Sequence, residues 1–486
     1  MPSLLRVWLW IAVSVLVAPV SALAAVLDGN VDLDRLADFK AAGSNWKEAG
    51  GLEGDPREDR GLITRAGKGL IVNQPAAGAK SDLFTEWEHA DLEFEGEFLL
   101  PKGSNSGIYF MGRYEIQLFD SWGIRSPGVQ DLGALYERWD AARGKGQEGF
   151  DGVPPRANAA RAPGLWQHLR VLFRGPRFDE QGRKVADARF LRVEVNGYPV
   201  QIDTVATGPT RSSHFKTEAP LGPLMIQGSH GPVAFRGLHC SVPTPPAGPA
   251  KETPARKAPA PIVLTVGDRV RIQRGFVPFQ PYKRLYACSV ATPEGINYAY
   301  DLESFALLRV WRGGVGDTTE MWGDRGGSQL AKPAGPSLTL SGAPGLALIE
   351  APESDGWPVR PDPLYVSDGY HLEADGTPVF RAHLSGLRLT DRVSPAKEGG
   401  GLTRIVQCEG SLPGWSCFLL LAEADQITPA GKDRSGFIVG DRQWYLDFPP
   451  ETPHTPRILS RGGRQWLVVP LTKTTFDKPV SYSLVW

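Results

Sequence analysis

The run Asn105-Ser106-Gly107-Ile108-Tyr109-Phe110-Met111-Gly112-Arg113-Tyr114-Glu115-Ile116-Gln117-Leu118-Phe119-Asp120 constrains the fold more than any other stretch. It predicts two short strands joined at Met111-Gly112, where glycine tolerates the backbone angles of a tight turn. Strand side chains alternate between faces with period two. Tyr114, Ile116 and Leu118 therefore share an apolar face, and Arg113, Glu115, Gln117 and Phe119 share the other. A guanidinium, a carboxylate and an amide in consecutive same-face positions are unusual for a strand that only packs. That face is expected to floor a wet cleft for a polar ligand.

The alternation recurs along the chain. Leu92-Glu93-Phe94-Glu95-Gly96-Glu97-Phe98 interleaves acids with apolar residues, and Leu191-Arg192-Val193-Glu194-Val195 runs into the hairpin signal Asn196-Gly197. Residues 137–163 are rich in Gly, Ala and Arg without periodicity, which predicts a mobile loop or a lid. Residues 243–261, rich in Pro, Ala and Lys, predict a semi-rigid linker. Further strand patterns follow at 265–272, 307–311, 437–439 and 481–486, and the only helices expected are short, such as residues 33–41. The expected class is all-β. Its organisation is a signal peptide over 1–24, a first sandwich over 25–242, the linker over 243–261, and a second all-β sandwich over 262–486.

The amino terminus carries Arg6, an apolar run from Val7 to Val20, and Ala22-Leu23-Ala24 before Ala25. That is the pattern of a cleaved secretory signal, with an uncleaved anchor as the alternative. No later stretch approaches the ~20 apolar residues of a spanning helix. The expected location is periplasmic or secreted, with no transmembrane segment after cleavage. Lys and Arg number 53 against 54 Asp and Glu, a balance that points away from nucleic acid and anionic membranes as partners. In an oxidising compartment the four cysteines can pair, and Cys408 with Cys417 is the preferred disulfide. No Cys-x-x-Cys supports a zinc ribbon or a haem site.

Residues 27–242 resemble the 3-keto-disaccharide hydrolase (3-keto-glucoside lyase/hydratase) family. The resemblance rests on Asn105-Ser106-Gly107-Ile108-Tyr109, Gly112-Arg113-Tyr114-Glu115-Ile116-Gln117, Gly133-Ala134-Leu135-Tyr136, Gly164-Leu165-Trp166-Gln167, Val195-Asn196-Gly197, and Gly222 to Gly231 followed by Phe235-Arg236-Gly237. It implies a concanavalin-A-like jelly roll and a 3-keto glycoside as the carbohydrate substrate. The sequence departs from the family pattern after Tyr136, and residues 262–486 resemble no family of known activity.

A ketone at C3 of a sugar acidifies the C2 hydrogen, so the group on C1 can leave by elimination and water can add back. That net hydrolysis needs a base near C2, an acid at the leaving oxygen, and donors or a divalent metal ion for the enolate oxygen. Whether any cofactor is used stays open, and no metal ligand set is assigned. Glu115 is expected to be the base or a metal ligand, with an ion pair to Arg113 as the structural alternative. His230 is the second catalytic candidate, able to shuttle a proton near neutral pH. Asn105, Arg113, Gln117 and Gln227 are expected to hold sugar hydroxyls, and Trp122 and Tyr136 to stack on a sugar ring. The alternative to an enzyme is a non-catalytic carbohydrate-binding jelly roll. Glu93, Glu95 and Glu97 alternate as a retaining glucanase would require, but no motif around them defines a site.

Overall fold

The computed structural model describes residues 25–55, 57, 61–243, 262–279, 281–322, 329–349, 356–397, 400–410, 416–430, 435–472 and 478–486. The expected signal peptide and nearly all of the expected linker lie outside them. Up to residue 243 the chain forms two packed antiparallel sheets. The smaller contains β1 (Leu83–His89), β2 (Asn105–Phe110), β3 (Tyr114–Phe119) and β4 (Gly222–Ile226), in the order β1-β4-β2-β3. The larger runs through Tyr198–Ala206, Ala188–Val195, Trp166–Arg174, Leu92–Leu99, Val233–Ser241, Ile63–Asn73 and Trp46–Glu53, with Asn30–Asp32 beside Val233–Ser241.

Period-two alternation explains how the sheets meet. Phe110, Tyr114, Ile116, Leu118 and Ile226 leave the small sheet on one side and pack on Phe94, Phe98, Val171, Phe173 and Phe190 of the large one. The opposite side of the small sheet keeps the polar residues. The β2–β3 turn is as expected: Met111 and Gly112 both have positive φ, 56° and 63°. Asn196 and Gly197 likewise turn a hairpin at φ 52° and 75°.

Several expectations are corrected. Residues 33–41 hold only a single 3-10 turn, Leu36–Asp38. Residues 137–163 are not without structure, because Arg138–Trp139 pairs with Gly149–Phe150. The strand read over 265–272 is broken, with pieces at Val263–Leu264 and Arg271–Val277. Cys408 and Cys417 are free buried thiols, as are Cys240 and Cys288. Cys408 sits on Gly401–Gly410 and Cys417 on Cys417–Ala424, strands of two different sheets, so nearness in sequence does not make them a pair.

From residue 262 onward the regular structure of the described residues is again nearly all strand, with one short helix at Thr319–Trp322. A five-stranded sheet, a four-stranded sheet and an eight-stranded sheet share one core containing Tyr298, Tyr300, Phe380, Val406, Leu419 and Leu467. Inside it the buried Arg404 pairs with Asp391 at 2.7 Å.

The two halves touch through buried groups. Arg312 is buried and donates to the backbone oxygens of Ala160, Gly400 and Trp486. Burial holds its guanidinium down at about 9. The Tyr445 hydroxyl donates to Pro163 O at 3.0 Å, and Ala162, Leu165, Ala430, Ile438 and Tyr445 form a shared apolar cluster. Proteolysis within 244–261 is therefore expected to leave two fragments that co-elute on gel filtration. Separate elution at neutral pH would show that these contacts do not hold the halves together.

Candidate functional site

The polar face of the small sheet assembles by register. Tyr109 lies opposite Glu115, Gly107 opposite Gln117, and Asn105 opposite Phe119 across β2–β3. Met225 on β4 lies between Tyr109 and Phe84 of β1, which carries Gln227 and Asp82 to the same face. Residues 133–136 continue the sheet past β3, with Tyr136 N donating to Glu115 O at 3.1 Å. Leu135 bridges Ile116 on the core side, so Tyr136 falls on the face of Glu115.

Residues 210–215 cover this face. Thr210 Oγ1 accepts from Glu115 N at 3.2 Å and donates to Arg113 O at 3.0 Å. The His214 ring meets Phe84 edge-on, 4.7 Å between centroids. Under this cover Glu115 is 2% exposed and Gln117 4%. The expected wet cleft is thus a closed, largely buried site. Gly107 makes room for the acid: a Cβ there would lie 2.1 Å from Glu115 Oε1, so the carboxyl lies across a position only glycine leaves empty.

Burial drives the electrostatics. It pushes the Glu115 carboxyl up to about 8, against the Tyr109 hydroxyl bonded to it and with help from the Asp82 charge. Burial also raises Asp82, while the Gly228 N–H at 2.8 Å and the nearby His214 and His230 oppose the rise. Tyr136 is raised by burial and by Glu115, with Arg211 opposing. The face thus holds two carboxyls whose surroundings differ. Gln227 Nε2 donates to the Tyr109 hydroxyl at 3.3 Å, and Gln117 Nε2 to Gln130 O at 3.3 Å. The oxygens Asn105 Oδ1, Gln117 Oε1 and Gln227 Oε1 are buried without partners. Unsatisfied acceptors of this kind suit the hydroxyls of a polar ligand.

Five of the eight residues expected from sequence meet on this face: Asn105, Glu115, Gln117, Tyr136 and Gln227. The other three do not. Arg113 belongs to the turn before β3. It donates to the carbonyls of Met111 and Thr217, both at 2.7 Å, and lies over the Phe215 ring. It anchors the cover and makes no ion pair with Glu115. Trp122 donates to Trp486 O at 2.9 Å, where the halves meet. His230 is exposed, 2.9 Å from Ser229 Oγ, and reaches Asp82 electrostatically without a hydrogen bond to Glu115.

Asp82, Tyr109, Arg211 and His214 were missed. Tyr109 was readable from the alternation Asn105, Gly107, Tyr109; Asp82 needed the strand order. Glu93, Glu95 and Glu97 lie on the solvent side of the large sheet, paired with Arg170, His168 and Arg236. Among the described residues no group of three or more His, Cys, Asp or Glu is placed to hold a metal ion. Asp82 and Glu115, with two histidines near Asp82 alone, do not make such a donor set.

Residues 32–240 match the family model described as a 3-keto-alpha-glucoside-1,2-lyase-like domain. That similarity is confined to the first half of the chain. No curated protein matches the sequence. Three crystal structures from Parabacteroides distasonis ATCC 8503, named as candidate glycosyl hydrolases, are similar to part of the chain. The first shares 21% identity and covers 46% of this chain and 94% of its own, with a TM-score of 0.30. The second shares 18%, covering 41% and 99%, with a TM-score of 0.26. The third shares 15%, covering 41% and 89%, with a TM-score of 0.24. Among the described residues no helix is long and apolar enough to cross a membrane.

Proposed function

We propose that residues 32–240, matched to the 3-keto-alpha-glucoside-1,2-lyase-like family, cleave 3-keto glycosides by elimination and hydration. The observation that carries this reading is the pairing of Glu115, held protonated at neutral pH, with the less buried Asp82 on one closed polar face. Two carboxyls in unlike surroundings supply an acid and a base together. The assignment of Glu115 changes accordingly, from the base to the acid.

In the proposed reaction the Asp82 carboxylate removes the C2 proton, which the C3 ketone has made acidic. Electrons move to form the C1–C2 double bond as the C1–O bond breaks, and Glu115 gives its proton to the leaving oxygen. Water then adds at C1 and a proton returns to C2, completing a net hydrolysis. Gln117 and Gln227 would bond the sugar hydroxyls, and the Tyr109 hydroxyl would share its hydrogen bond with Glu115. Because Glu115 is 2% exposed, substrate reaches it only when residues 210–215 shift. The buried acceptors Asn105 Oδ1, Gln117 Oε1 and Gln227 Oε1 would also serve the second reading, a carbohydrate-binding domain without turnover. The leader pattern over 1–24 supports export to the periplasm or medium.

The test is incubation of the purified protein with a 3-keto disaccharide, with and without chelator. Release of both monosaccharide units is the expected result. Unchanged rates with chelator would match the proton-only scheme. Binding of the disaccharide without cleavage would overturn the enzymatic reading.

A further inference from the structure

A second cleft lies away from Glu115, where the two halves meet. It holds about 770 Å³, a volume in the range of small-ligand sites. One wall is built from Trp46–Glu53 and Ile63–Asn73, the other from Ile427–Ala430, Gly436–Val439 and the turn through Arg442.

Arg442 is the unusual residue there. It has φ 52°, a left-handed conformation that a non-glycine residue rarely holds without cause. Its main chain is pinned on both sides: its N–H donates to Gly440 O at 2.9 Å and its carbonyl accepts from Trp166 N at 3.0 Å. The residue is 8% exposed. Nη2 donates to the carbonyls of Leu52 and Gly54, while Nη1 is buried without a partner. The nearby acids are occupied elsewhere. Asp55 is bound by Arg57 and Asp441 by Arg236, and Glu53 stands at the exposed rim. A buried guanidinium with a free N–H and no carboxylate of its own is a costly arrangement that an incoming carboxylate relieves. Arg65, exposed on the same wall, adds a second positive charge. The rest of the lining mixes apolar side chains, Leu52, Ile63, Leu70, Trp166 and Ile438, with glycine backbone at Gly50, Gly51 and Gly440 and with Thr428 and Gln426. That mixture suits a sugar ring, which presents an apolar face as well as hydroxyls.

We propose that this cleft binds a saccharide carrying a carboxylate, with Arg442 bonding the carboxylate and Arg65 reinforcing it. The site is separate from the face of Glu115, so it tests independently of the 3-keto reading.

Calorimetric titration of the full chain with digalacturonate, its dimethyl ester and inorganic phosphate tests it. Wild type is expected to bind the free acid at least roughly tenfold more tightly than the ester, the scale of one charge-assisted hydrogen bond. Arg442→Gln should lose that preference. Arg65→Ala, at an exposed position outside the carbonyl contacts, should weaken the acid about threefold with an unchanged melting temperature. It keeps the test decisive if Arg442→Gln fails to fold. Equal binding of acid and ester, no binding of either, or an Arg65→Ala titration identical to wild type would overturn the proposal. Phosphate binding as tight as digalacturonate would overturn the saccharide assignment and leave a simple oxyanion site.

Discussion

Glu115→Gln is expected to lower turnover of a 3-keto disaccharide by about 10²–10⁴, the usual loss when a general acid is removed. The same change should alter how stability depends on pH. The folded protein holds the Glu115 proton up to about 8, whereas an ordinary glutamate releases it near 4.5. Between those values the folded state binds more protons than the unfolded one. The contribution is therefore fully present below 4.5 and is lost as pH rises towards 8. The slope reaches about 1.4 kcal/mol per pH unit in that window. Glutamine has no proton to lose, so the variant should gain on wild type as pH rises from 5 to 8. Urea unfolding of both proteins at pH 5, 6.5 and 8 measures this. A stability difference that stays flat across the series would show an ionised Glu115 and remove it as the acid.

Asp391→Asn should be the most damaging conservative change in the second half. Arg404 Nε and Nη2 donate to both Asp391 oxygens, Tyr300 donates to Oδ2 at 2.8 Å, and the pair is 5% and 0% exposed at its side chains. Asparagine keeps the shape but leaves the Arg404 charge buried with only Tyr482 and the Phe305 carbonyl beside it. Breaking one side of such a pair typically costs about 3–5 kcal/mol. Replacing both partners, as Asp391→Leu with Arg404→Met, should recover most of that loss, because no charge then stays uncompensated. Urea midpoints of the single and double variants give the answer. A single variant within about 0.5 kcal/mol of wild type, the range of ordinary surface changes, would mean the pair is not desolvated as the geometry indicates.

The sequence by itself determined whatever depends on neighbours along one strand. Alternation assigned Ile116 and Leu118 to the core and Glu115 and Gln117 to the other face, because a pleated strand leaves no third direction. The Met111-Gly112 turn and the Asn196-Gly197 hairpin were legible for the same local reason. Arg113 was misplaced by one residue of strand boundary, and that sufficed to turn a supposed site residue into an anchor of the cover.

Contacts between distant segments were decided only in three dimensions. Asp82 reaches the face of Glu115 because β4, more than a hundred residues later in the chain, inserts between β1 and β2. Thr210, 95 residues away, bonds the Glu115 backbone, and burial of the Glu115 carboxyl is what makes an expected base into an acid. Trp122 has a sugar-stacking composition around it, yet its partner is Trp486, 364 residues on. Alternation specifies which way a side chain points. What it points at, and whether water remains there, depends on strand order and on the segment that closes over the face.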